Sequence, residues 1–212
     1  MKGKLFLSGG GDEIEGKSFN DIYANAVGPN ARVLYVPVAW KTANFDECLK
    51  WFTATYSIYG FQIEMLTDLQ NCSLEYVMTF DTIYIGGGNT FALLDDVRQS
   101  GFDETILKFL ELGKTVFGGS AGAIIFGKDI RTAALGDGAD TNDVGINDFT
   151  GLDLAGGYVI QCHYDDRQGD ELADFANKQN LKILALSNNG GLVIGDGKID
   201  RIEPVREFVP ML

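Results

Sequence analysis

Short apolar runs alternate along the chain with segments whose apolar residues recur every three or four positions, as when strands and amphipathic helices take turns. Runs at 4–8, 32–38, 61–66, 81–85, 115–118, 158–162, 182–186 and 191–194 predict strands. Several, such as Val33-Leu34-Tyr35-Val36, are continuous rather than alternating, as strands covered on both faces are. Helical spacing predicts helices over 17–27, 43–59, 90–98, 102–112, 121–126 and 168–179. Within 102–112, Ile106, Phe109 and Leu110 fall three and four apart and make one apolar stripe.

This order of elements implies an α/β fold in three layers around a mostly parallel sheet, with residues 1–212 forming one domain. The C-terminal part reads differently: Gly190 to Ile199 predicts a β-hairpin turning at Asp196-Gly197. Residues 133–150, rich in Gly, Asp, Asn and Thr, form one long irregular stretch, and long loops in compact domains are often functional.

Composition narrows the function classes. Of 212 residues, 45% are hydrophobic and 22% charged, as in an ordinary globular protein. The net charge of −13 repels phosphate backbones and anionic lipid, which argues against nucleic-acid and membrane-surface roles. Three cysteines, Cys48, Cys72 and Cys162, are odd in number and show no C-x-x-C spacing, so neither a zinc site nor a disulfide framework is indicated. The N-terminal apolar run is too short for a signal peptide, and no run approaches transmembrane length. The expectation is a cytoplasmic protein, monomer or homodimer, without metal or cofactor.

Residues 115–126 carry the clearest chemistry. A short apolar strand runs into Gly118-Gly119-Ser120-Ala121-Gly122, and an apolar helix follows. That is G-x-S-x-G in a strand–turn–helix context, where the serine hydroxyl is exposed on a strained turn and its small neighbours let backbone approach closely. The N–H of Ala121 is left free at a helix start to hold an oxyanion. A capping serine in a tight turn is the plainer alternative. A hydroxyl needs a base, and the one histidine, His163, follows the apolar run 158–162, at the carboxyl end of a strand where open parallel sheets place their sites. For the orienting acid, Asp137, Asp140, Asp143, Asp148 and Asp153 lie between Ser120 and His163, with Asp165 and Asp166 just beyond, and spacing alone does not choose among them. A second glycine-rich strand end, Gly86-Gly87-Gly88-Asn89-Thr90, offers backbone N–H groups to an oxyanion, with Asn89 or Thr90 as a helix cap.

Gly11-Asp12-Glu13-Ile14-Glu15-Gly16-Lys17-Ser18 matches the phosphate-binding pattern G-x-x-x-x-G-K-[ST] letter for letter. Asp12, Glu13 and Glu15 would oppose the phosphates that such a loop cradles, so a nucleotide-binding reading ranks below the others.

Taken together, Leu5–Gly11, Ile85–Thr90, Gly119–Ala123, Ile130-Arg131-Thr132, Gly151–Leu154 and Cys162-His163-Tyr164 occur in the order seen in the dipeptidase E and cyanophycinase family of serine peptidases, which this chain resembles over residues 5–165. The resemblance implies a flavodoxin-like sheet akin to class I glutamine amidotransferases. It implies Ser120 as nucleophile, His163 as base, and oxyanion donors at Gly87, Gly88 and Ala121. It further implies an acid at Asp143, within Thr141-Asn142-Asp143, with Asp140 the alternative. Members of that family act on N-terminal aspartyl dipeptides or on a β-linked Asp-Arg polymer. Asn89, Arg131 and Arg167 are the candidate substrate-binding residues, since a guanidinium fork suits an aspartate carboxylate. The expected activity is metal-independent hydrolysis of small peptides, including dipeptides with N-terminal aspartate. A non-catalytic small-molecule or peptide-binding module on the same scaffold is the rival from another class.

Overall fold

The computed structural model describes residues 2–40 and 44–211. The first strand, β1 (Lys4–Ser8), lies inside a seven-stranded sheet with β2 (Arg32–Val36), β3 (Gln62–Met65), β4 (Thr82–Ile85), β5 (Thr115–Gly119), β8 (Gly191–Gly195) and β9 (Lys198–Ile202). Its order is β3-β2-β4-β5-β1-β8-β9; the first five run parallel, and β8 pairs antiparallel with both β1 and β9. The hairpin turns at Asp196 and Gly197 with φ of 50° and 73°, the two positive values that a two-residue primed turn needs.

Alternation of side chains across the main sheet splits the core into two layers. Phe6, Val33, Tyr35, Tyr84 and Phe117 face α1 (Lys17–Val27) and α2 (Phe45–Tyr56), which contribute Phe19, Tyr23, Phe52 and Tyr56. Leu5, Leu34, Ile83, Ile85 and Val116 pack instead with residues of α4 (Thr90–Ser100), α5 (Phe102–Glu111) and α6 (Ala121–Ile124). A short helix, α3 (Leu74–Val77), precedes β4. Helix starts follow from local chemistry: Asn44 accepts from the N–H of Asp46 at 3.0 Å, and Asp46 and Glu47 place negative charge in the first turn of α2. Asn89 caps α4 through the N–H of Ala92 at 2.9 Å.

The runs 158–162 and 182–186 do form strands, but not in the main sheet. β6 (Tyr158–Gln161) and β7 (Lys182–Leu186) pair in parallel, and β10 (Val205–Phe208) adds antiparallel to β7. Ile160, Cys162, Leu184 and Leu186 join the main core, while Val159, Ile183 and Ala185 lie under Leu172 and Ala176 of α7 (Gly169–Gln179). The place beside β1 that another parallel strand would take is filled by β8, so these strands stack as a second sheet.

Some boundaries differ from the sequence reading. β2 stops at Val36, before Pro37, which has no N–H to give a ladder. The helix expected over 43–59 is α2 followed by a 3₁₀ turn at Ser57–Tyr59; residue 43 lies outside the described residues. Residues 133–150 stay largely irregular, anchored by a bridge between Asp129 and Thr150.

Phe109 is fully buried at the centre of the α5 stripe. Phe109→Ala removes that packing and is expected to lower stability by about 3–5 kcal/mol, read from urea denaturation midpoints.

Candidate active site

The carboxyl ends of β1, β4 and β5 in the main sheet and of β6 and β7 in the second sheet converge on one site. Ser120 leaves β5 with φ 53° and ψ −118°, a left-handed conformation that a non-glycine residue holds at a cost of about 1–3 kcal/mol. The turn closes because Gly118 and Gly122 lack side chains: a Cβ on Gly118 would lie 2.2 Å from the Gly122 carbonyl oxygen, and one on Gly122 would lie 2.3 Å from that of Ile85. The Ser120 N–H is tied to the Ser8 carbonyl at 3.2 Å.

His163 follows β6, also with positive φ (53°), and its N–H donates to the Gly9 carbonyl at 2.9 Å. Its Nε2 lies 2.8 Å from Ser120 Oγ, hydrogen-bond reach for a hydroxyl and its base. On its other side Nδ1 lies 2.9 Å from Oδ1 of Asn188, just past the end of β7. Asn188 Nδ2 in turn donates to both carboxylate oxygens of Glu15, at 3.2 and 3.0 Å. Cys162 sits directly beneath, its Sγ 3.5 Å from the Ser120 carbonyl; burial pushes this thiol up, which keeps it protonated and inert.

The N–H groups of Gly87, Gly88 and Ala121 have no acceptor among the described residues. Gly87 is close enough that a Cβ there would lie 3.1 Å from that of Ser120. Gly88 has φ 136° and runs against Ala39 and Trp40, a path only glycine allows. A cleft of about 770 Å³ opens above these groups. Its inner wall carries Tyr35, Tyr56 and Tyr84, and its mouth carries Trp40 and Trp51, both substantially exposed. Burial raises all three tyrosine hydroxyls, Tyr84 to about 12, so this wall stays uncharged at neutral pH. Asp12 and Glu47 line the same cleft, and no Arg or Lys does among the described residues.

The profile of peptidase family S51 matches residues 5–202, nearly the whole chain. The chain belongs to peptidase family S51. An uncharacterized peptidase of Pasteurella multocida is 29% identical over 167 residues, covering 76% of this chain and 77% of that protein. Peptidase E of Haemophilus influenzae is 29% identical over 190 residues, covering 84% and 83% respectively. Against other relatives, peptidase E of Salmonella arizonae among them, the chain spans 56–58% of their length. The fold matches a crystal structure from Listeria monocytogenes EGD-e, designated a candidate peptidase E, with a TM-score of 0.70 at 23% identity and 99% of each chain covered.

Against this S51 framework, the residues singled out in the sequence separate into two groups. Ser120, His163, Gly87, Gly88 and Ala121 converge. Asp143 and Asp140 do not reach the imidazole: Asp143 accepts from Thr141 Oγ1 at 2.7 Å, and Asp140 accepts from the Thr90 N–H at 2.8 Å. Asn89 is spent on its cap and on the Thr141 carbonyl, 2.8 Å from Nδ2, which ties α4 to the irregular loop. Arg131 forks onto Asp129 and reaches Gln179, and Arg167 pairs with Asp165 and Asp137; neither lines the cleft. In the loop that matches a phosphate-binding pattern, the Asp12 carboxylate takes the N–H groups of Ile14 and Glu15, both at 2.8 Å, and Lys17 is paired with Asp21. Amides that would cradle a phosphate are thus occupied by the protein's own carboxylate.

Gly10, with φ 97°, runs beneath the serine–histidine pair, and a Cβ there would lie 2.6 Å from His163 Nε2 and 2.9 Å from Ser120 Cβ. Gly10→Ala is expected to displace the imidazole and lower kcat about 100-fold while circular dichroism stays native.

Proposed function

We propose that this S51 peptidase hydrolyses small peptides through a serine–histidine mechanism that needs no metal. The carrying observation is the 2.8 Å contact between Ser120 Oγ and His163 Nε2, placed where the Gly87, Gly88 and Ala121 N–H groups are free. Ser120 attacks the scissile carbonyl as His163 takes its proton, and those N–H groups hold the oxyanion. His163 then returns the proton to the leaving amine, and water repeats the sequence to release the acyl group.

The cleft also speaks to substrate choice. Its aromatic wall suits an apolar or aromatic side chain, and Asp12 and Glu47 suit a free α-amino group or a basic side chain. An N-terminal aspartate would place its carboxylate where the described lining offers no cation to pair with it. The arginines that could have read it are paired elsewhere.

A dipeptide panel tests both parts. Dipeptides with an apolar or basic first residue are expected to be cleaved at least ten-fold faster, in kcat/KM, than their N-terminal aspartyl counterparts. Ser120→Ala is expected to lower kcat by about 10⁴-fold or more and to abolish labelling by a fluorophosphonate. Full activity in that variant would overturn the mechanism; preference for aspartyl dipeptides would overturn the specificity alone.

A further inference from the structure

In the loop that imitates a phosphate site, the Glu15 carboxylate meets Asn188 from 173 positions away in the chain. We propose that Glu15 is the positioning residue that sets the tautomer of His163, acting through Asn188. The inference rests on the serine–histidine reading above and extends it to a four-membered line of Glu15, Asn188, His163 and Ser120.

A primary amide can turn either its oxygen or its NH₂ toward a neighbour, so Asn188 alone would accept from or donate to His163 equally well. A carboxylate can only accept. With Glu15 at 3.2 and 3.0 Å, the amide must present its NH₂ to Glu15 and therefore its oxygen to the imidazole. An oxygen 2.9 Å from Nδ1 requires a proton on Nδ1, which leaves the Nε2 lone pair facing Ser120 Oγ. Were the amide reversed, Nδ1 would accept, Nε2 would carry the proton, and the serine would have no base.

Glu15 is itself held in place. Its N–H and that of Ile14 are fixed by Asp12, the Gly11 N–H donates to the Asn188 carbonyl at 3.1 Å, and a Cβ on Gly11 would lie 2.9 Å from Glu15 Cβ. Glu15 is exposed, so its influence comes from which end of the amide it attracts and not from burying a charge beside the imidazole.

Because His163 is the chain's one histidine, its ring nitrogens give a single set of resonances in ¹⁵N NMR. Above the imidazole titration, the wild type is expected to show the Nδ1–H tautomer. Glu15→Lys places a donor where an acceptor stood, reverses the amide, and is expected to shift the ring to Nε2–H. With it, kcat should fall by about 10²–10⁴-fold at unchanged KM, the scale of a wrong tautomer. Glu13→Lys, the same charge change on the same loop, should alter neither. Asn188→Asp in the Glu15→Lys background gives Nδ1–H a fixed acceptor and should recover at least ten-fold in kcat and restore the tautomer. An unshifted tautomer in folded Glu15→Lys overturns the proposal, as does a failure of the double variant to regain it. Should no peptide be cleaved and no fluorophosphonate react, the peptidase reading fails, and the tautomer experiment still decides the role of Glu15.

Discussion

Everything at the site depends on two sheets approaching to backbone contact along Gly9-Gly10-Gly11. The Gly9 carbonyl accepts from the His163 N–H, and the Gly11 N–H donates to the Asn188 carbonyl. A Cβ on Gly9 would lie 2.0 Å from the Ser187 carbonyl oxygen, and one on Gly11 would lie 2.4 Å from that of Asn188. Side chains there would push the small sheet off the large one. Ser120 belongs to one sheet and His163 to a strand end of the other, so the width of this seam is the distance between a hydroxyl and its base.

The amide at Asn188 changes the character of the catalytic line. A carboxylate beside the imidazole would both fix its tautomer and stabilise the imidazolium that forms during attack. An amide oxygen does the first and contributes only a dipole to the second. The wall of neutral tyrosines adds no charge either. In the proposed mechanism the developing oxyanion would be held by the N–H groups of Gly87, Gly88 and Ala121, where close backbone approach leaves no room for side chains on Gly87 and Gly88.

How much of this was legible in the residues depends on how local each signal is. Ser120 was readable because an elbow needs small residues at fixed offsets, and His163 because there is no other histidine. The eight strand runs and the Asp196-Gly197 turn were readable for the same reason, since periodicity and turn chemistry are local. Sheet membership was not: the runs at 158–162 and 182–186 are as apolar as those of the main sheet, and only pairing distinguishes them. α3 is too short to show a period, and β10, Val205-Arg206-Glu207-Phe208, has just two apolar residues. Asn188 carries no local signal, because its contact with His163 comes from β7 lying parallel to β6 and not from a carboxylate between Ser120 and His163 in sequence. A neutral amide past a strand end carries no pattern, and Glu15 stood inside a motif that suggests other chemistry.

The hydrogen bond between Glu15 and Asn188 spans almost the full chain, and contacts so distant in sequence close only after the intervening chain has been placed. During synthesis, Ser120 and His163 leave the ribosome before Asn188 does. A nascent or partly unfolded chain thus holds a serine and a histidine without the group that aligns them. The line proposed through Glu15, Asn188, His163 and Ser120 is thus complete only once distant parts of the chain have met.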